Sequence, residues 1–132
     1  MEYVASPSFE YFLRCIASAR IILENINIQV PPNLSPNIYS KYLSAGINDW
    51  GGISPLTPDY VNPECPWPTI EEIRNVTSEN GFVLRGRLPV YPKYIVNPIL
   101  NSRFIHPLLK GYIEPLVDNY GLVKKDSINN EY

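Results

Sequence analysis

Cysteine, histidine and excess charge are all scarce in this chain, and each scarcity closes off a class of function. Only two cysteines, Cys15 and Cys65, occur among 132 residues. They stand too far apart for C-x-x-C metal ligation and are too few for the disulfide framework of a small secreted domain. Both are expected as free thiols, and no metal site is expected. His106, the only histidine, precedes Pro107, where a cap or surface role is expected rather than general-base work. Lys and Arg number 11 against 13 Asp and Glu, so no basic surplus draws nucleic acid or an anionic membrane. No apolar run approaches the roughly 20 residues of a bilayer span. The N-terminus lacks the basic start and apolar stretch of a secretory signal. A cytoplasmic protein without nucleic-acid or membrane partners is the expectation.

What is abundant is proline, with 14 residues, and tyrosine, with 10. Proline at about twice its ordinary ~5% usage, outside any low-complexity tract, predicts long, rigid loops of the kind that carry binding sites. Between them the apolar spacing alternates in type. Residues 7–24 carry Phe9, Phe12, Leu13, Ile16, Ala19 and Leu23 at helical spacing, with Ser6 or Ser8 as cap and Asn25 as a stop. Ile26, Ile28 and Val30 alternate with polar residues, as in a strand that Pro31 and Pro32 end. Ser35-Pro36 predicts a helix start, with Ile38, Tyr42 and Leu43 inward and Gly46 at the left-handed stop. A second strand over 47–53 leads into a proline-rich loop over 54–68. Thr69 and Glu72 form a capping box for a helix that stops at Gly81. A third strand over 82–88, a helix around 108–120 and a polar tail complete the expectation. This alternation predicts an α/β protein built from βα units, with too few strands to stand as a complete doubly wound sheet.

Three irregular stretches go further: QVPPNLSP over 29–36, AGINDWGGISP over 45–55 and TPDYVNPE over 57–64. Together with Pro66-Trp67-Pro68 and the RLPVYP run over 87–92, they resemble the last barrel strands of the 7,8-didemethyl-8-hydroxy-5-deazariboflavin (FO) synthases, specifically the ring-closing subunit. The likeness covers roughly residues 7–95. It implies C-terminal βα units of a radical-SAM, partial TIM-type barrel over 1–95, with a helical C-terminal extension and tail over 96–132. It further implies an enzyme that uses S-adenosylmethionine and an iron–sulfur cluster. Its substrate is a hydroxybenzyl ribitylaminouracil adduct, closed to the deazaflavin with loss of ammonia. The family's C-x-x-x-C-x-x-C cluster loop has no match here, so the cluster ligands are not in this chain. The implied partner is the missing N-terminal barrel half or a partner subunit, and the chain alone is expected to be inert. The alternative is a truncated, non-catalytic paralogue that binds a deazaflavin or a partner subunit. A menaquinone-type barrel relative is disfavoured by the SPLTPDYVNPE run.

Barrel active sites lie at the C-terminal ends of the strands. The residues expected there to bind substrate are Gln29, Asn33, Asn48, Asp49, Ser54 and Thr57, whose amides, carboxylate and hydroxyls suit ring carbonyls and sugar hydroxyls. Gln29, between Ile28 and Val30, should face away from the helices if those two pack against them. No catalytic residue is assigned. Asp59 reads as a turn residue. A glycosidase-like pair among Asp49, Asp59 and Glu64 has nothing else in its favour.

Overall fold

The computed structural model describes residues 7–54 and 56–124. Ser6, Pro55 and the polar tail from residue 125 lie outside them. The first helix, α1 (Phe9–Ile22), starts at Ser8, whose hydroxyl accepts from the Tyr11 amide. Ile16 is its buried residue, with Phe9 and Leu13 packed beside it. Two residues of the expected stripe depart from it. Leu23 ends the helix as its C-cap and is exposed, and Phe12 is also exposed.

Strand β1 (Gln29–Val30) and strand β2 (Asp49–Trp50) pair in parallel, Gln29 opposite Asp49 and Val30 opposite Trp50. Both are shorter than the alternating pattern predicts. The prolines after Val30 and the left-handed Gly52 (φ 69°) bend the chain out of any longer ladder. Between them lies α2 (Lys41–Ala45), which Gly46 terminates at φ 108°. It starts later than expected, because residues 36–40 form successive turns; Ile38 therefore lies outside the helix and is exposed. The core sits where α1 and α2 cover one face of the strand pair: Ile16, Val30, Tyr42, Leu43 and Ile47, flanked by Ile28, Tyr39 and Trp50.

Helix α3 (Ile70–Glu79) carries the expected capping box. Thr69 Oγ1 accepts from the Glu72 amide, and the Glu72 carboxylate accepts from the Thr69 amide at 2.7 Å. A cap of this kind contributes about 1 kcal/mol. Ile73 is its fully buried anchor, and Thr77 Oγ1 receives the Trp50 indole N–H at 3.1 Å.

The chain divides into two units, one ending at Leu84 and one beginning at Arg85. In the second, α4 (Pro92–Val96), α5 (Pro98–Phe104) and α6 (Pro107–Ile113) each open on a proline. That first-turn position leaves no intrahelical bond unmade by the missing N–H. Tyr94 and Phe104 meet edge to face at 5.3 Å. Residues 82–88 form no strand, and Gly86 O accepts from the Val123 amide at 2.9 Å. The helix expected over 108–120 stops at Ile113. Val117 and Val123 then bridge across a turn in which Asp118 accepts from the Tyr120 and Leu122 amides. Arg85 donates to the Asp118 carboxylate at 2.7 Å and holds it below the usual carboxylate range. His106 is the α6 cap, its Nδ1 accepting from the Leu108 amide, as expected of it.

Candidate functional site

Because neighbouring side chains on a strand alternate in direction, Val30 and Trp50 face the helices, while Gln29 and Asp49 share the opposite face. Val30 is buried and Gln29 exposed, as its position between Ile28 and Val30 predicts. Gly51 continues that face. A Cβ built on it would stand 2.5 Å from Gln29 Cγ and 2.6 Å from its Cδ. The Gln29 side chain thus lies flat across the glycine, and any larger residue there would push it off. Gly52 leaves room in the same way for the Trp67 ring, 3.1 Å from where its Cβ would be.

The strands run in parallel, so the loops after Val30 and after Trp50 leave the sheet at one end. Asn33 joins them. It is 2% exposed, and its Nδ2 donates to Asp59 Oδ2 and to the Cys65 carbonyl, both at 2.9 Å. Those two acceptors fix the orientation of the amide. They also leave Oδ1 buried and without a partner, a cost of about 1–3 kcal/mol. Asp59 is the anchor of the proline-rich loop. Besides Asn33 it accepts from the Val61 and Asn62 amides at 2.9 and 3.1 Å and from Asn62 Nδ2. The Asn62 and Val61 backbone amides, helped by the Asn62 and Asn33 side chains, hold its carboxyl below the ordinary carboxylate range.

The sign follows from that direction. A carboxyl lowered by folding stabilises the fold above its unfolded pKa of about 3.9, and that contribution disappears as pH falls through the folded value. Asp59→Asn is therefore expected to flatten the loss of stability between about pH 5 and pH 3, read from thermal melts across that range. An unchanged acid limb would show that Asp59 is not the anchor.

The remaining expected site residues are arranged less convergently. Asn48 Oδ1 accepts from the Ile28 amide at 2.9 Å and from Arg20 Nη2 at 3.2 Å, and its Nδ2 donates to Asn27 at 2.8 Å. Its amide fastens the start of β1. Ser54 and Thr57 bond hydroxyl to hydroxyl at 2.7 Å, and the Thr57 amide donates to Ser54 Oγ, which shapes the loop itself. The structure thus groups Gln29 with Asp49, holds Asn33 under the loop, and pairs Ser54 with Thr57. Arg20 and Asp59 organise this end of the molecule; Asp59 is the turn residue expected of it, accepting from the Val61 and Asn62 amides, whereas its bond from Asn33 and the long-range bonds of Arg20 carry no local sequence signal. Besides partners close by in the chain, Arg20 reaches Gly46 and Asn48, 26 and 28 residues on, and Asp59 meets Asn33, 26 residues back.

A cavity of about 440 Å³ opens between the β1–α2 loop and α3, walled by Pro32, Asn33, Tyr39, Pro66, Glu72 and Glu79 among others. It lies apart from the Gln29–Asp49 face, and Asn33 is its single link with the expected substrate residues. Burial, and then the nearby Glu72 charge, push the Tyr39 phenol upward, so it stays protonated. Thr69 holds the Glu72 carboxyl below its usual range through the capping box.

No model of a protein family matches the chain, and no solved structure matches it. Curated proteins do. Over 124 residues, 94% of this chain and 36% of the relative, it is 44% identical to the 7,8-didemethyl-8-hydroxy-5-deazariboflavin synthase of Methanopyrus kandleri. The enzyme of the same name from Methanothermobacter thermautotrophicus is 44% identical over 88% of the chain and 36% of its own length. That of Methanococcus aeolicus is 54% identical over 82% of the chain and 30% of its own length. The chain spans about a third of the length of the curated relatives it matches. By sequence, the chain is similar to a portion of the 7,8-didemethyl-8-hydroxy-5-deazariboflavin synthases.

Proposed function

We propose that residues up to about 95 are the C-terminal βα segment of a radical-SAM barrel, followed by a helical extension, and that they supply one substrate-facing wall of a deazaflavin synthase. The observation that carries this reading is the in-register pair Gln29 and Asp49 on the helix-free face of two parallel strands. In a (β/α) barrel that face is the lumen, and chemistry sits at the C-terminal strand ends. Both strands keep one edge unpaired among the described residues, which is what a segment cut from a closed barrel leaves. On this reading Gln29 and Asp49 hydrogen-bond the uracil and ribityl groups of the hydroxybenzyl adduct, and the loop anchored by Asn33 and Asp59 closes over them. No helix of the described residues is long and apolar enough to cross a membrane.

The family's cofactors are S-adenosylmethionine and an iron–sulfur cluster, which together generate the radical that starts ring closure. The thiols here do not fit a cluster. Cys15 is exposed on α1 and Cys65 lies in the proline-rich loop, and among the described residues no three His, Cys, Asp or Glu side chains gather to hold a metal. Cluster ligation is therefore assigned to the remainder of the synthase, and this chain to binding and orientation.

The test is complementation. The chain alone, after iron–sulfur reconstitution, is expected to form neither 5′-deoxyadenosine nor fluorescent deazaflavin. Co-expressed with the cluster-bearing remainder of a related synthase, it is expected to restore both. Turnover by the chain alone, or no turnover from any complemented pair that co-purifies, would sink this reading.

A further inference from the structure

We propose that Gly51 is a positioning residue, a glycine so that the Gln29 carboxamide can lie against β2 with its direction fixed and its polar atoms free to bind. This rests on the reading of the helix-free face as the substrate-facing wall, and adds the group that aims Gln29. Gly46, Gly52, Gly81 and Gly121 have positive φ and answer to the backbone. Gly51 is not among them. Its amide donates to Val30 O at 3.2 Å and so continues the pairing of the two strands. In such a place alanine is ordinarily the better residue, because glycine loses more conformational entropy on folding. What requires the missing Cβ is the Gln29 side chain. A Cβ at Gly51 would stand 2.5 Å from Gln29 Cγ, 2.6 Å from Cδ and 2.9 Å from Nε2, so the contact runs along the side chain up to its amide. Carbon atoms pack at about 3.5–4.0 Å, and alanine would therefore displace Gln29 by roughly 1 Å.

Gly51 is buried and Gln29, which covers it, is exposed. Among the described residues the Gln29 carboxamide has no hydrogen-bond partner. A long side chain without such a bond ordinarily samples several rotamers in water, and a ligand must then supply the cost of ordering it. Packing along the glycine lowers that cost and leaves one N–H donor group and one carbonyl acceptor side by side. Their complement is a planar ring edge that carries adjacent C=O and N–H groups, as a pyrimidinedione does. Displaced by alanine, Gln29 would turn into solvent at little cost to folding, so the glycine serves binding rather than stability.

The test uses Gly51→Ala, Gln29→Ala and the double variant, in the 132-residue chain and in the complemented synthase. In the chain, Gly51→Ala is expected to melt no lower than the parent. NMR of the parent should show the Gln29 γ protons against the Gly51 α protons; the alanine variant should lose that contact and shift the Gln29 side-chain amide. In the synthase, Gly51→Ala and Gln29→Ala should each raise KM for the hydroxybenzyl adduct about five- to tenfold and leave kcat within about twofold. The double variant should be no worse than Gln29→Ala, since Gly51 acts only through Gln29. Should Gly51→Ala fail to fold and the double variant recover, Gln29 is still identified as what the glycine accommodates. A melting point lowered equally in both makes the glycine structural and overturns the proposal. So do an unmoved Gln29 amide, an unchanged KM, or a further loss when Gly51→Ala is added to Gln29→Ala. No turnover by the parent pair defeats the synthase reading instead, while the NMR contact and the melts still decide whether Gly51 places Gln29.

Discussion

Tyr42→Ala is expected to be the costliest truncation in the unit that ends at Leu84, lowering its unfolding free energy by about 3–5 kcal/mol. The ring is 2% exposed. It stands 5.4 Å from the Phe9 ring and edge-on to Phe12 at 5.7 Å, which ties α1 to α2. Its hydroxyl lies 2.5 Å from Ser35 Oγ, which ties α2 to the loop leaving β1. Removing the ring leaves a cavity among Ile16, Val30 and Leu43, side chains held by two helices and a strand that cannot readily collapse. Tyr42→Phe separates the two contributions: it keeps the ring contacts, loses the hydroxyl bond and should cost only about 1 kcal/mol. Urea unfolding followed by tryptophan fluorescence reads both. An alanine variant within about 1 kcal/mol of the parent would mean that the core is not centred on this ring.

Arg20→Ala is expected to cost about 2–3 kcal/mol, although among the described residues no carboxylate faces the guanidinium in a salt bridge. Arg20 works as a collector of carbonyls. Its Nε donates to Gly46 O at 2.7 Å, and its Nη1 to Glu24 O at 3.0 Å and Ile26 O at 2.7 Å. Its Nη2 reaches Asn48 Oδ1 at 3.2 Å. One side chain thereby closes the end of α1, the end of α2 and the entry to both strands. Gly46 is doubly constrained by it: at φ 108°, a Cβ there would stand 2.8 Å from Arg20 Cγ. Lysine cannot reproduce a planar fork that donates in several directions, so Arg20→Lys should recover less than half of the loss. Because the acceptors are neutral, the effect should persist at 1 M salt, where a surface ion pair would be screened. Thermal melts of both variants at low and high salt decide this; full rescue by lysine would show that charge alone matters.

Local chemistry made a good part of this fold legible. Ser8, the Thr69–Glu72 box, Gly46 and His106 each act within four residues of the backbone they cap, so their roles follow from the sequence spacing alone. The period of two around Gln29 likewise gave the direction of its side chain. Pro92, Pro98 and Pro107 were readable as three helix starts, and weighing each as a first-turn residue would have replaced the single helix expected over 108–120. Strand 82–88 failed for the opposite reason: a β-like sequence makes a strand only where a partner edge is available, and here Gly86 receives one bond from Val123.

The irregular words around Gly51 and the proline-rich loop determined kinship, because loop sequences that depend on several fixed φ values seldom recur by chance. They did not determine roles. Asn33, Asn48, Ser54 and Thr57 look alike as polar loop residues. Only the tertiary structure shows Asn48 fastening β1, Ser54 and Thr57 bonding each other, and Asn33 reaching across 26 residues to Asp59 with its oxygen left over. Hydrogen bonds between distant segments leave no periodic trace in a sequence. Proline, glycine and capping residues fixed the local path of this chain, and tertiary packing decided which distant polar groups meet.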